Sequence, residues 1–159
     1  SPFRWIRVFD TDKCLMASGF NGFAMVVNLN DTFFGFTKSR NDKLRVVSVG
    51  TKKQAIASAD DFLRKIESNS NAKKNKRWLN EPVSEKQKSI LIKKGYRINP
   101  FDFSWTKYKA ACLINYLFNK KEVDFLIYKK QKEIRIQERS DKVRRERLEY
   151  LNRISGKAY

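Results

Sequence analysis

The side chains best placed for chemistry in this chain are cations, and the chemistry they suit is contact with phosphate. Lys107 and Lys109 fall in the first turn of a helix that Thr106 would cap. The free N–H groups and partial positive charge of a helix start favour an anion there. Lys86, Lys93 and Lys94 belong to a second short helix. Farther on, Arg135, Arg139, Lys142 and Arg145 follow one another at spacings of four, three and three, which holds them along one helical face, with Arg144 beside them. Lys73, Lys74, Lys76 and Arg77 crowd a short polar segment. Phe101, Phe103 and Trp105 alternate within a loop, where aromatic rings either stack on unpaired bases or pin the loop to the core.

What is absent narrows the chemistry further. Of 159 residues, 35 are Lys or Arg, 17 are Asp or Glu and none is His, for a formal charge of +18. Without histidine the chain lacks the usual general base, the commonest metal ligand and the partner of a Ser or Cys nucleophile. Cys14 and Cys112 sit in apolar runs with no Cys-x-x-Cys, so they read as core thiols and not as a zinc site or a disulfide framework. No Gly-x-x-x-x-Gly-Lys-Ser/Thr loop and no Asp-Glu-x-His/Asp motif occurs, so catalytic residues, cofactors and metals are not expected within these residues. No apolar run approaches the ~20 residues that span a bilayer, so no membrane partner is expected. A field of this sign and size suits an anionic polymer, and the chain reads as a monomeric binder before an enzyme. Its start at Ser1-Pro2 suggests a piece cut from a longer protein.

These cations need elements to carry them. Five short apolar stretches, 5–9, 13–18, 23–29, 32–37 and 44–49, alternate with turn signals and predict an antiparallel β-meander. Asn21-Gly22 tolerates the positive φ of a tight hairpin, and Asn30-Asp31 and Asn41-Asp42 punctuate the next turns. In the third stretch Phe23, Met25, Val27 and Leu29 form a strongly apolar face, backed by Ala24, Val26 and Asn28. Thr51 and Gln54 then make a capping box, and Ile56, Ala59, Leu63 and Ile66 line one side of a helix expected to cover that apolar face. Residues 68–77 contain no apolar side chain larger than Ala and form a basic linker.

A second unit begins at Trp78. Ser84 and Gln87 open one helix, which ends at Gly95, and Thr106 opens the next, whose stripe is Ala110, Leu113, Ile114 and Leu117. Two short helices packed together are expected over 78–119. From 120 to about 155 there is neither Pro nor Gly, which predicts a long charged helix or tail. Ile136, Val143 and Tyr150 recur at seven, but Ser140 and Arg147 hold the partner heptad positions, so a coiled coil has weak support. The expected fold class is α+β: about five strands covered by one helix over 1–67, the linker over 68–77, a two-helix unit over 78–119 and a long basic helix over 120–159. Residues 1–67 carry 11 basic and 7 acidic groups, 68–77 carry 4 and none, 78–119 carry 7 and 3, and 120–159 carry 13 and 7. The main nucleic-acid surface is therefore expected from the linker onwards.

Trp78, Glu81, Pro82, Ser84 and Gln87, followed after a loop by Thr106, Lys107, Ala110, Leu113 and Ile114, resemble the C-terminal region of the fungal mitochondrial superfamily 2 DNA helicases named for increased recombination centres. The strand from Trp5 to Val8 and the helix residues Ala55, Ala59 and Asp60 fit the same region, so the resemblance spans most of residues 3–118. It implies a non-catalytic, accessory DNA-binding module of an ATP-driven double-stranded DNA translocase that acts on forks and four-way junctions in mitochondrial DNA maintenance. Double-stranded and branched DNA and the motor of the same chain would be its partners. ATP and magnesium would bind the motor, and the compartment would be the mitochondrial matrix. Two other readings compete. One is an RNA- or ribosome-binding accessory protein, favoured by the basic tail and the strand-rich first unit. The other is a structural brace, in which the β unit packs on the motor and DNA is met only from residue 68 onwards.

Overall fold

A computed structural model describes residues 2–67, 77–99 and 104–157. Lys73, Lys74, Lys76, Phe101 and Phe103 lie outside the described residues, as does the rest of the expected linker apart from the backbone at Arg77. The fold is α+β, as the patterning predicts. Strands β1 (Ile6–Arg7), β2 (Cys14–Ser18), β3 (Gly22–Leu29), β4 (Thr32–Ser39) and β5 (Arg45–Gly50) form one antiparallel meander in sequence order. The helices are α1 (Lys52–Ile66), α2 (Glu85–Lys93) and α3 (Lys107–Lys157), with a 3-10 turn at Arg77–Asn80. β1 is shorter than its apolar run because the chain leaves the sheet after Val8, whose N–H still reaches the Cys14 carbonyl at 3.0 Å, and turns at Asp10 with φ 59°.

The turns separate two uses of small residues. Leu29 pairs with Thr32, so Asn30-Asp31 alone connects β3 to β4, with φ of 51° and 65°. Both values are the left-handed conformation that a type I′ hairpin needs at its two central positions. Asn21-Gly22 was expected to work the same way, but neither residue is left-handed. That connection closes through Gly19 N–H to the Gly22 carbonyl at 2.9 Å, and its glycines answer to space. A Cβ at Gly22 would collide with the Lys38 carbonyl oxygen, and one at Gly19 with the Glu67 carboxylate.

α1 covers the sheet, but not on its strongly apolar face. Ala55, Ala59 and Leu63 pack with Leu15, Ala17, Ala24, Val26 and Phe3, and a Cβ at Gly35 would stand 3.2 Å from the Ala55 carbonyl oxygen. Small residues on both partners let helix and strands approach closely, which decides the face. Trp5 Nε1 donates to Asp60 Oδ1 at 3.0 Å and Arg64 Nε to Asp60 Oδ2 at 2.9 Å, so the one buried acid on this helix is held from two sides.

Strand alternation sends the large residues Met16, Phe23, Met25, Phe34 and Phe36 to the opposite face, where all are buried. α3 reaches that side. Ser18 N–H donates to the Tyr108 hydroxyl at 2.9 Å, the same hydroxyl donates to the Arg4 carbonyl, and Ser18 Oγ lies 3.3 Å from Cys112 Sγ. Phe9 meets Tyr116 edge-on with ring centroids 5.1 Å apart. Segments on either side of the linker therefore share one interior. Burial pushes the Cys14 and Cys112 thiols up to about 12 and raises the Tyr108 phenol, consistent with core thiols.

Both capping boxes form as the sequence predicts, at Thr51 with Gln54 and at Ser84 with Gln87. α2 stops at Gly95, φ 92°, with Gly95 N–H to the Ile92 carbonyl and Tyr96 N–H to the Leu91 carbonyl, the paired bonds of a Schellman motif. The next helix departs from expectation. The short helix from Thr106 and the charged tail are one unbroken helix of 51 residues, because no proline interrupts its backbone ladder. The chain forms two compact units, Ser1–Val123 and Asp124–Tyr159, and every described residue of the second belongs to α3.

Candidate nucleic-acid interface

The motif residues that look most functional in the sequence tie down the start of α3. Pro82 and Thr106 form an isolated antiparallel bridge. Lys107 N–H donates to the Glu81 carbonyl at 2.8 Å, and Lys107 Nζ pairs with Glu81 Oε2 at 2.9 Å. Gln87, already part of its own capping box, donates through Nε2 to the Lys107 carbonyl at 3.1 Å. Glu81, Pro82, Gln87, Thr106 and Lys107 thus close the loop between α2 and α3 into one brace.

The same geometry occupies most of the phosphate site expected at this helix start. Thr106 caps Lys109 N–H at 3.1 Å, and Glu81 already takes the N–H of Lys107. Lys109 Nζ lies 4.8 Å from the centroid of the Trp105 ring and 3.9 Å from Asp10 Oδ1. Trp105, the described one of the three aromatics singled out, is half-buried with that cation over its ring.

Exposed cations lie elsewhere. On α2, Lys86, Lys93 and Lys94 are exposed, with Lys94 Nζ 5.7 Å from the centroid of the Phe118 ring. Lys93 and Lys94 close the helix, where a positive charge also offsets the partial negative charge of its last carbonyls. In the second unit Arg135, Arg139, Lys142 and Arg145 are all exposed, and none of them pairs with an acid among the described residues. At about 100° per residue these four share roughly a third of the helix circumference, with Glu138 and Glu146 interleaved. Arg144 points to the opposite side. Ile136, Val143 and Tyr150 are exposed as well, next to this arc.

The family model of the mitochondrial helicase Irc3 C-terminal domain matches residues 1–141. The chain belongs to that family. It is the C-terminal part of a mitochondrial helicase, and a mitochondrial setting goes with the family. No curated protein and no solved structure matches the chain. The Irc3 C-terminal match takes in the sheet, the brace and α2, and stops inside α3 after Arg135 and Arg139, before Lys142, Arg144 and Arg145.

The sequence reading passed over one basic surface of the first unit. Lys38, Arg40 and Phe20 gather with Asn115 of α3 around a cleft at the end of the sheet where the β2–β3 hairpin turns. The four residues come from three elements, and no local spacing links them. In the sequence Asn21-Gly22 marked only a turn.

Proposed function

We propose that this Irc3 C-terminal domain is a non-catalytic double-stranded DNA-binding module that positions an ATP-driven motor on branched DNA in the mitochondrial matrix. The observation that carries the reading is the row of exposed cations Arg135, Arg139, Lys142 and Arg145, none of them ion-paired among the described residues, in a chain whose residues from 68 onwards hold 24 basic groups against 10 acidic ones. Such a row neutralises backbone phosphates without reading bases, and releases counterions as it does so. Lys86, Lys93 and Lys94 add a second basic patch in the first unit. ATP and magnesium belong to the motor, because these 159 residues carry no phosphate loop to hold them.

The test is equilibrium binding of the intact chain, as a monomer, to matched linear duplexes, forks and four-way junctions at several salt concentrations. If about five to seven phosphates are neutralised, log K falls against log salt with a slope of roughly −4.5 to −6. Contacts made at separate patches add through effective concentration, so junctions are expected to bind more tightly than linear duplex of equal length. A flat salt response sinks the reading. Tighter binding to RNA duplexes than to DNA would favour an RNA-directed role, since an A-form groove presents 2′-hydroxyls that a DNA reader does not use.

A further inference from the structure

We propose that the cleft at the hairpin end of the sheet binds a nucleotide whose base is unstacked, as at the branch point of a fork. This rests on the DNA-binding reading and assigns the β unit a part in it. The cleft measures about 470 Å³, within the range of small-ligand sites. It is lined by Phe20 of the hairpin, Phe23 at the start of β3, Lys38 near the end of β4, Arg40 in the turn just after it, and Asn115 of α3, with two cations and no carboxylate among its lining residues.

Each part of a nucleotide finds a matching group there. Phe20 is 45 % exposed and presents ring surface for stacking. The Asn115 side-chain amide offers both a donor and an acceptor to a base edge. Arg40 is exposed and forms no ion pair with a described residue, while Lys38 Nζ has a neutral partner, the Ser39 carbonyl at 3.3 Å. Both are available to a phosphate. Phe23 and Lys38 face each other in the β3–β4 register, which puts the lysine on the same side of the sheet as the aromatic floor.

Hydrogen bonds tie the frame of the cleft together. Asn21 N–H donates to Glu67 Oε1 at 2.6 Å and Asn21 Nδ2 to the Ile66 carbonyl at 2.8 Å, which fastens the hairpin to the end of α1. Arg40 N–H donates to the Asn21 carbonyl at 2.7 Å and ties the two sides of the cleft together. A base within a duplex is stacked on both faces and paired along its edge, so it cannot enter. An unpaired nucleotide can.

The experiment compares the intact chain with Phe20→Ala, Phe20→Tyr and Arg40→Gln on three probes: a blunt duplex, a fork of equal duplex length with 2-aminopurine at the first unpaired position, and free ATP. Thermal unfolding of each variant serves as the folding control, and both positions are exposed enough to tolerate change. Expected for Phe20→Ala are an about 5- to 100-fold loss on the fork, less than twofold on the blunt duplex, and loss of the 2-aminopurine quenching seen with the parent chain. Phe20→Tyr is expected to restore both signals. Equal losses on fork and duplex, or unchanged fork binding with folded Phe20→Ala, would overturn the cleft assignment while leaving duplex binding intact. Saturable ATP binding abolished by Arg40→Gln would overturn the strand as the nucleotide's source. Failure of the parent chain to bind any of the DNA probes would instead defeat the underlying DNA-binding reading.

Discussion

Tyr108 is a buried side chain that joins distant parts of the first unit. Its hydroxyl accepts from Ser18 N–H and donates to the Arg4 carbonyl, so one oxygen joins the first residues of the sheet, β2 and α3. Tyr108→Phe keeps the ring and leaves the Ser18 N–H without its partner in a buried site and the Arg4 carbonyl in a part-buried one, for an expected loss of about 1–3 kcal/mol in urea unfolding. Lys107, by contrast, is paired at the surface with Glu81, and an exposed pair of this kind contributes only about 0–1 kcal/mol. The thiols supply a pH signature. The unfolded chain ionises its cysteines near pH 9, whereas Cys14 and Cys112 hold their protons in the fold to about 12. Between those values the unfolded state binds fewer protons, so stability falls as pH rises. Unfolding midpoints compared at pH 8 and pH 10.5 are expected to reveal a loss of at least about 1 kcal/mol. A rise in stability across that window would contradict the buried placement of these thiols.

At the level of elements, the brace before α3 explains why a polar motif carries a fold. Ser84 caps α2, Gln87 reciprocates and also reaches the Lys107 carbonyl, and so the entry of one helix fixes the entry of the next. Ser84→Ala is expected to cost about 1 kcal/mol through the lost cap, with DNA affinity unchanged at matched temperature. A larger drop in binding than in stability would show that the brace touches DNA itself. The capping boxes, the turn at Asn30-Asp31 and the glycine stop of α2 were all legible in the sequence, because each is decided by residues within six positions of one another, whereas the left-handed geometry expected at Asn21-Gly22 formed at Asn30-Asp31 instead. The face chosen by α1 was not. It follows from Ala17, Ala24 and Gly35 lying opposite Ala55 and Ala59, a match of surfaces that no single segment displays.

For the whole chain, charge is divided between a compact first unit and the cation-rich part of α3. Ending the chain after Lys129 retains buried Ile127 and removes Arg135, Arg139, Lys142, Arg144 and Arg145. The expected outcome is an unchanged thermal transition for the first unit, a salt slope shallower by about 2 to 4, and a smaller preference for four-way junctions over linear duplex. Should the shortened chain bind with the original slope, the phosphate contacts belong to the first unit, and Lys86, Lys93 and Lys94 become the residues to change next.

Composition and short-range pattern were enough to establish the α+β class, the five-strand meander, the three helix starts and the cationic character. These properties live in backbone propensities and in contacts a few residues long, which a linear reading can see. The tertiary structure alone decided that Lys107 faces Glu81 and Lys109 faces Trp105, that Tyr108 closes on Ser18 across 90 positions, and that Phe20, Arg40 and Asn115 surround one cleft. A lysine written beside a helix start looks free to meet phosphate, and whether it is free depends on which distant carboxylate, ring or carbonyl the packed chain brings within a few ångströms of it.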